Sequence, residues 1–491
     1  MKEKRLQFLG VIFAVMMIFL AFAHMRICIM KGDEYSRSVA VQRTDAIVIK
    51  NRRGKFYDRN MVPLVENTVS EMSFPFCKGK ILMPVRYGEK SSVCHLIGYT
   101  DAKGRGITGL EKVFDKYLKS KSADSVNVVK SANGAVIKNA GISYQSAETS
   151  GDSVVLTLDT NIQNICREAL ESYNIKGAAV VLDVKSFDVL AMVSTPGYNQ
   201  NNISEYLKKD GSEFVNRCVA SYNAGSIFKL VTLCSVVENG KLQYLYFCNG
   251  KDNISGTVFR CHKTDGHGVL SPLDATAKSC NCAFYRMGVS LGAENILKTA
   301  SDFGFGNSLV CCSGFSETIG NLPSKKFYSV QDSVNYAIGQ GEILLTPIQV
   351  ANMVAIIANK GVSQKINVAQ RIVSFDGNMV QFLRESGEKR VISPSTAEFA
   401  ANAMRLAVTG GTASSLKDNP ARIAGKTGTA ETGWIEDGKT MVHGWFCGFF
   451  PYDNPKYAMA VLVENGGSGS KSAVPVFGKI AEQIVKIYPI G

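Results

Sequence analysis

The sequence predicts an α+β protein: an apolar N-terminal helix, a β-rich N-terminal module, and a larger domain with a central antiparallel sheet flanked by helices. Three observations predict it. The run from Leu6 to Met25 (LQFLGVIFAVMMIFLAFAHM) contains no Asp, Glu, Lys or Arg, and at ~1.5 Å per residue it matches a hydrocarbon core of roughly 30 Å. Residues 60–150 hold short apolar runs broken by Gly, Lys and Ser. Beyond Val154, strand patterns lie at both ends of the chain with helical patterns between them, which implies one sheet assembled from both ends. A length of 491 residues fits two or three domains.

Lys2, Lys4 and Arg5 precede the apolar run. They hold a tail of residues 1–5 in the cytoplasm and send the remainder across the membrane. Ala21-Phe22-Ala23 resembles a signal-peptidase site. The run exceeds a typical signal core in length, which favours an uncleaved single-pass anchor over residues 6–25. A mean hydropathy of +0.02 argues against further spans. The net charge of +13 favours anionic headgroups and wall polymers. Nucleic acid is disfavoured, because neither a basic–aromatic stripe nor zinc-finger spacing is present.

Residues 33–50 alternate and run into Ile47-Val48-Ile49, a strand signal, and Asn51-Arg52-Arg53-Gly54 turns the chain. A first module is assigned to residues 26–150, with a particularly polar stretch from 120 to 150. The second domain spans 151–491. Val154–Leu158 reads as a strand, and Asp159 caps a helix reaching about Tyr173. Ala178–Asp183 and Val189–Ser194 are strands. Helical patterns dominate from about 225 to 304, 346 to 360 and 395 to 409. Trp445–Phe450 and Tyr457–Glu464 form a terminal hairpin, followed by a helix over roughly 475–487.

The pattern S-x-x-K occurs at Ser226/Lys229, Ser414/Lys417 and Ser468/Lys471. The last two lie in polar or Gly/Ser-rich stretches that read as surface. Ser226 opens a helical pattern, so Lys229 falls on the same face one turn later. A lysine whose pKa is lowered by burial can take the proton of a serine hydroxyl. Alone, the pair reads more readily as a helix cap beside a surface lysine. Ser279-Cys280-Asn281 supplies a second hydroxyl for proton relay and an amide able to hold a peptide backbone. Lys426-Thr427-Gly428-Thr429 reads as an edge strand of the terminal sheet. Its cation and hydroxyls suit a substrate carboxylate, and Gly428 leaves room for a peptide along the edge. The amides of Ser226 and Thr429 are candidates for an oxyanion hole.

In this order the three motifs resemble those of the penicillin-interacting serine transferases and hydrolases. The flanking motifs are similar to those of class B penicillin-binding proteins. They are Arg53-Gly54 with Asp58-Arg59-Asn60, Gly106-Ile107-Thr108-Gly109-Leu110-Glu111, Asn216-Arg217, Ala224-Gly225-Ser226, Gly339-Gln340-Gly341 and Thr346-Pro347. Asn223-Ala224-Gly225 stands where the family often has Pro-Pro-Gly, and residues 120–150 match poorly.

The resemblance implies a peptidoglycan D,D-transpeptidase serving division, elongation or sporulation and inhibited by β-lactams. Residues 26–150 would form its pedestal module and 151–491 its transpeptidase domain. Ser226 would attack the stem-peptide D-Ala-D-Ala carbonyl, Lys229 would accept the proton and Ser279 would assist departure of D-Ala. Asn281, Lys426, Thr427, Gly428 and Thr429 would bind substrate. Catalysis would need no cofactor, and a membrane glycosyltransferase would be the partner. A D,D-carboxypeptidase or β-lactam hydrolase would need a water-activating carboxylate, which no motif assigns. A non-catalytic wall scaffold would not need all three motifs.

Thirteen cysteines are scattered without a C-x-x-C pair, unlike a disulfide scaffold. Cys248, Cys261, His262, Asp265, His267, Cys280 and Cys282 cluster around the second motif. Structural zinc is one reading, with Cys261, His267 and Cys280 as ligands. A Cys248–Cys261 disulfide or plain buried thiols are the others.

Overall fold

The computed structural model describes residues 2–66, 68–73, 80–88, 91–120, 122–131, 133–137, 142–208, 212–436 and 439–490. Parts of the polar 120–150 stretch therefore lie outside the described residues. The chain forms two compact units, one of residues 1–52, 69–84 and 120–150, the other of 53–68, 85–119 and 151–491.

The first unit begins with a helix over Lys2–Met30, none of whose residues is buried. It is long and apolar enough to cross a membrane and is consistent with a membrane anchor. A second helix, Gly32–Arg43, occupies most of the stretch expected to be a strand. Asp33 and Glu34 in its first turn and Arg43 in its last complement the helix dipole, and this outweighs the local alternation. The expected strand begins only at Thr44 and runs to Asn51. It pairs antiparallel with Ala123–Val129, which pairs in turn with Ile142–Gln145.

The second unit contains the five-stranded antiparallel sheet. Its strands are β1 (Gly177–Asp183), β2 (Val189–Thr195), β3 (Ala424–Glu436), β4 (Lys439–Phe450) and β5 (Tyr457–Val463), in the spatial order β3-β4-β5-β1-β2. The sheet is thus assembled from both ends of the domain, with β3 at an edge. Period-two alternation divides its side chains between two cores. Ala178, Val180 and Leu182 join one, and Ala179 and Val181 the other.

The principal helices of this unit are α1 (Thr160–Ser172), α2 (Lys229–Glu238), α3 (Pro272–Ala277), α4 (Asn281–Leu291), α5 (Pro347–Ala358), α6 (Pro394–Thr409) and α7 (Ala473–Ile487). Asp159 caps α1 by accepting the amides of Asn161 and Ile162. Every residue of α5 is buried, which explains why it is apolar apart from Gln349 and Asn352. It packs on β5, β1 and β4, whereas α7 packs on β4 and β5 and against α1.

The stretch from 225 to 304 is not continuously helical. Tyr246–Cys248 pairs with Gly268–Leu270, and Lys251–Ile254 pairs with Thr257–Arg260. The second hairpin turns through Ser255 and Gly256, both at positive φ (52° and 82°), the two-residue turn that suits strand twist. In the same unit, the motif residues Arg53 and Glu111 form a buried ion pair at 2.9 Å, and Arg53 also reaches Asp115 at 2.8 Å.

Candidate active site

Ser226 lies on a single 3-10 turn, Gly225–Phe228, that leads directly into α2. It is half-buried, whereas Lys229 is fully buried. The turn is wedged between two backbones. Gly225 has φ +56°, and a Cβ there would stand 2.4 Å from the Thr429 carbonyl oxygen. Its amide donates to the Gly339 carbonyl at 3.0 Å. Only glycine tolerates both the left-handed backbone and that approach. The turn bearing Ser226 is thereby seated against β3, and a Cβ on Gly428 would lie 3.3 Å from the Ile227 amide nitrogen.

Lys229 Nζ donates to the Ser279 carbonyl at 2.8 Å, to Ser279 Oγ at 3.2 Å and to Asn281 Oδ1 at 2.6 Å. It also lies 5.4 Å from the Phe284 ring centroid. Burial pushes its pKa down to about 8, opposed by the nearby Cys280, Cys261 and Cys282 thiols. Lys426 Nζ reaches Ser279 Oγ from the other side at 2.9 Å and donates to the Thr427 carbonyl at 2.9 Å. Burial, then the charge of Lys229, hold its pKa well below the ordinary lysine value.

The second motif occupies the break between α3 and α4. Ser279 adopts φ +54°, a conformation uncommon outside glycine, and its amide donates to the Thr276 carbonyl at 3.1 Å. Cys280 donates its amide to the Ala275 carbonyl at 2.8 Å and precedes the first residue of α4, Asn281. The break turns Ser279 and Asn281 toward the same lysine nitrogen.

Lys426, Thr427, Gly428 and Thr429 all lie on edge strand β3, where Thr429 is exposed and Lys426 buried. Thr427 Oγ1 is 2.6 Å from Thr412 Oγ1. Sequence reasoning did not single out Thr412. Its only signal is the Gly410-Gly411 pair before it, which marks a turn but not the strand it faces. Nor did it assign Gly339 a physical part, although that residue's carbonyl holds the turn bearing Ser226.

The twelve described cysteines are free thiols, so the Cys248–Cys261 disulfide is not formed. The ligand atoms of Cys248, Cys261, His267 and Cys280 lie within 4.8 Å of one another. Three of these four are the ligands favoured from the sequence, and Cys248, a member of the sequence cluster, joins them. His267 Nδ1 is 3.6 Å from both the Cys248 and Cys261 sulfurs. Hydrogen bonds from the Cys280 and then the Cys282 thiols hold the Cys261 pKa far below the usual thiol value. His262 and Asp265 are exposed and fall outside the four-residue cluster.

A profile of the family "Penicillin binding protein transpeptidase domain" matches residues 177–482. The chain is 29% identical to stage V sporulation protein D of Bacillus subtilis over 409 residues, covering 79% of this chain and 62% of that protein. It is 26% identical to the peptidoglycan D,D-transpeptidase MrdA of Haemophilus influenzae over 426 residues, covering 78% and 63%. It thus spans less than two thirds of either relative. Among solved structures, Pseudomonas aeruginosa PBP2 in complex with WCK 5153 superposes with a TM-score of 0.70 at 26% identity, covering 90% of this chain and 96% of that one. Mycobacterium tuberculosis PBP3 complexed with ampicillin gives 0.72 at 25% identity, covering 91% and 97%. With the profile spanning more than half its length, this chain belongs to the penicillin-binding protein transpeptidase family, as the class B motifs of its sequence anticipate.

Proposed function

We propose that the protein is a serine D,D-transpeptidase that cross-links peptidoglycan stem peptides. The observation that carries this reading is the convergence of Lys229, Ser279, Asn281 and Lys426 in one hydrogen-bonded group, with Lys229 one turn beyond the half-buried Ser226. Ser226 Oγ attacks the penultimate D-Ala carbonyl while Lys229 Nζ takes its proton. The amides of Ser226 and Thr429 receive the developing oxyanion. The C–N bond then breaks, and D-Ala leaves with a proton delivered through Ser279. Lys426, Thr427 and Thr429 hold the terminal carboxylate, with Gly428 leaving space for the peptide, and Asn281 orients its backbone. An amine of a neighbouring stem attacks the acyl-enzyme, restoring Ser226. A β-lactam acylates the same oxygen by opening its ring amide, so its leaving group stays tethered.

The proposed acyl transfer uses side chains and backbone amides of this chain. Residues 26–150 are proposed as the supporting module and 151–491 as the catalytic domain. The apolar helix supports a single-pass anchor with residues 1–5 cytoplasmic and the catalytic domain outside, beside a membrane glycosyltransferase that makes the strands to be joined. Membranes carrying wild type or Ser226→Ala are treated with fluorescent penicillin and the label is followed over time. Stable labelling of wild type alone is expected. Labelling of the variant overturns the serine assignment, and label released within minutes favours a hydrolase. Absence of label from both favours a scaffold.

A structural zinc site is a second proposal, supported by the four-ligand cluster. Tetrahedral bonds of about 2.3 Å to sulfur and 2.0 Å to nitrogen separate ligand atoms by roughly 3.5–3.8 Å, close to the 3.6 Å sulfur–nitrogen distances here. Cys248, Cys261, His267 and Cys280 are the proposed ligands. Purified protein should carry close to one zinc per chain by elemental analysis, and a content below about one tenth overturns the site.

A further inference from the structure

We infer that Glu464 and Tyr222 position the nucleophile turn. Glu464 immediately follows the last residue of β5. One carboxylate oxygen, Oε1, accepts from Arg217 Nε at 2.9 Å and from the Tyr222 hydroxyl at 2.6 Å. The other, Oε2, lies 3.8 Å from Lys176 Nζ. Arg217 is only 2% exposed, and its Nη1 donates to the Ser212 and Val215 carbonyls. The phenol thus shares its acceptor with a buried guanidinium, a short charge-assisted contact with strict geometry.

Tyr222 is fixed on every side. Its backbone pairs with Leu345, and its ring meets His443 and Trp445 edge-on at 5.3 and 6.3 Å. The next residue, Asn223, accepts the Trp445 indole proton at 3.0 Å. Beyond it come Ala224, the left-handed Gly225 and Ser226. His443 and Trp445 lie on β4, and β4 pairs with the strand bearing Lys426 and Thr429. Glu464 and Trp445 therefore fix the start of the nucleophile segment to the same sheet that carries the carboxylate-binding strand.

A buried ion pair contributes little net stability compared with apolar side chains of the same volume. Its worth here is geometric, because it sets where the turn begins relative to Thr429. Neither Glu464 nor Tyr222 touches Ser226, so they are positioning residues. This inference rests on the acyl-transfer reading of Ser226.

The test is single-turnover acylation of the full-length, detergent-solubilised protein by fluorescent penicillin. It resolves burst amplitude, drug affinity and the limiting acylation rate for wild type, Tyr222→Phe, Glu464→Gln and Glu464→Ala. Displacing a reacting atom by a fraction of an ångström is expected to slow the limiting rate by about tenfold or more. That loss should appear in Tyr222→Phe at near-wild-type amplitude and affinity. Glu464→Gln keeps an oxygen for the phenol and should be faster than Glu464→Ala. Tyr222→Phe combined with Glu464→Ala should be no slower than the slower single variant, since both act through one contact. An unchanged limiting rate in Tyr222→Phe overturns the inference. So does a loss confined to burst amplitude, which is what a merely structural role predicts. A wild type that is not acylated at all instead overturns the underlying acyl-transfer reading.

Discussion

Lys229 and Lys426 direct their ammonium nitrogens at one oxygen, Ser279 Oγ, at 3.2 and 2.9 Å. Burial penalises both charges, and the charge of Lys229 further penalises that of Lys426. Both pKa values are accordingly depressed, that of Lys229 to about 8. The arrangement favours a state in which one lysine is a neutral base and the other a cation, with a hydroxyl between them able to pass a proton.

A pH profile reads this directly. Protonated Lys229 cannot accept the Ser226 proton, so acylation by a β-lactam should rise with pH and level off above about 8. Below that value it should fall about tenfold per pH unit. Lys229→Arg, whose guanidinium stays charged, should abolish acylation at every pH. A flat wild-type profile from pH 6 to 9 would remove Lys229 as the base.

Ser279→Ala deletes the hydroxyl that both lysines share. Expected losses for an interposed proton-transfer group are about 10²-fold or more. The loss should fall mainly on departure of a free amine. Turnover of a D-Ala-D-Ala peptide should therefore drop further than acylation by a β-lactam, whose amine stays tethered. Equal losses on the two substrates would leave Ser279 as a hydrogen-bond partner without a relay role.

Much of this site was legible in the sequence, for physical reasons. The Ser226/Lys229 spacing forces two side chains onto one helical face, and Lys426–Thr429 sits beside the alternating apolar strands that build the sheet. The legible parts were those set by short-range periodicity. What could not be read was set by contacts between distant segments. Thr412 meets Thr427 only because the loop after α6 passes the start of β3. Glu464 meets Tyr222 only because β5 ends beside the nucleophile segment. The region after α2 was misjudged because its helical spacing resembled that of the helices on either side. Its turn chemistry at Ser255-Gly256 marked the hairpin. The strand expected from residue 33 failed at Gly32–Arg43, where charges at both helix ends outweighed alternation.

Gly225→Ala tests the seating of the nucleophile. Alanine at φ +56° with a carbonyl oxygen 2.4 Å from its Cβ cannot be accommodated without moving the turn or β3. Strain of this kind costs about 1–3 kcal/mol. The variant should lose most penicillin acylation and melt several degrees lower. Gly240→Ala also replaces a positive-φ glycine, but nothing lies within 4 Å of the added Cβ. It should lose stability without losing acylation. Equal acylation by both variants would show that the Thr429 contact has no part in reactivity.

Metal removal tests the coupling between the proposed zinc site and catalysis. Cys280 is a proposed ligand and also the middle residue of Ser279-Cys280-Asn281. A bond at its sulfur would restrain the break that aims Ser279 and Asn281 at Lys229. The carbonyl of Arg260, next to the proposed ligand Cys261, accepts the Tyr285 hydroxyl at 2.9 Å and lies 3.5 Å from the Asn281 side-chain Nδ2. Zinc bound at the proposed site would therefore bear on Asn281 from two directions. Because zinc binding to a folded site adds directly to folding free energy, a strong chelator should lower the melting temperature and slow acylation together. Readdition of zinc should restore both. Cys248→Ser, which changes no residue of the three motifs, should reproduce both losses and become insensitive to the chelator. A chelator effect on stability that leaves the acylation rate unchanged would confine the metal to holding the hairpins.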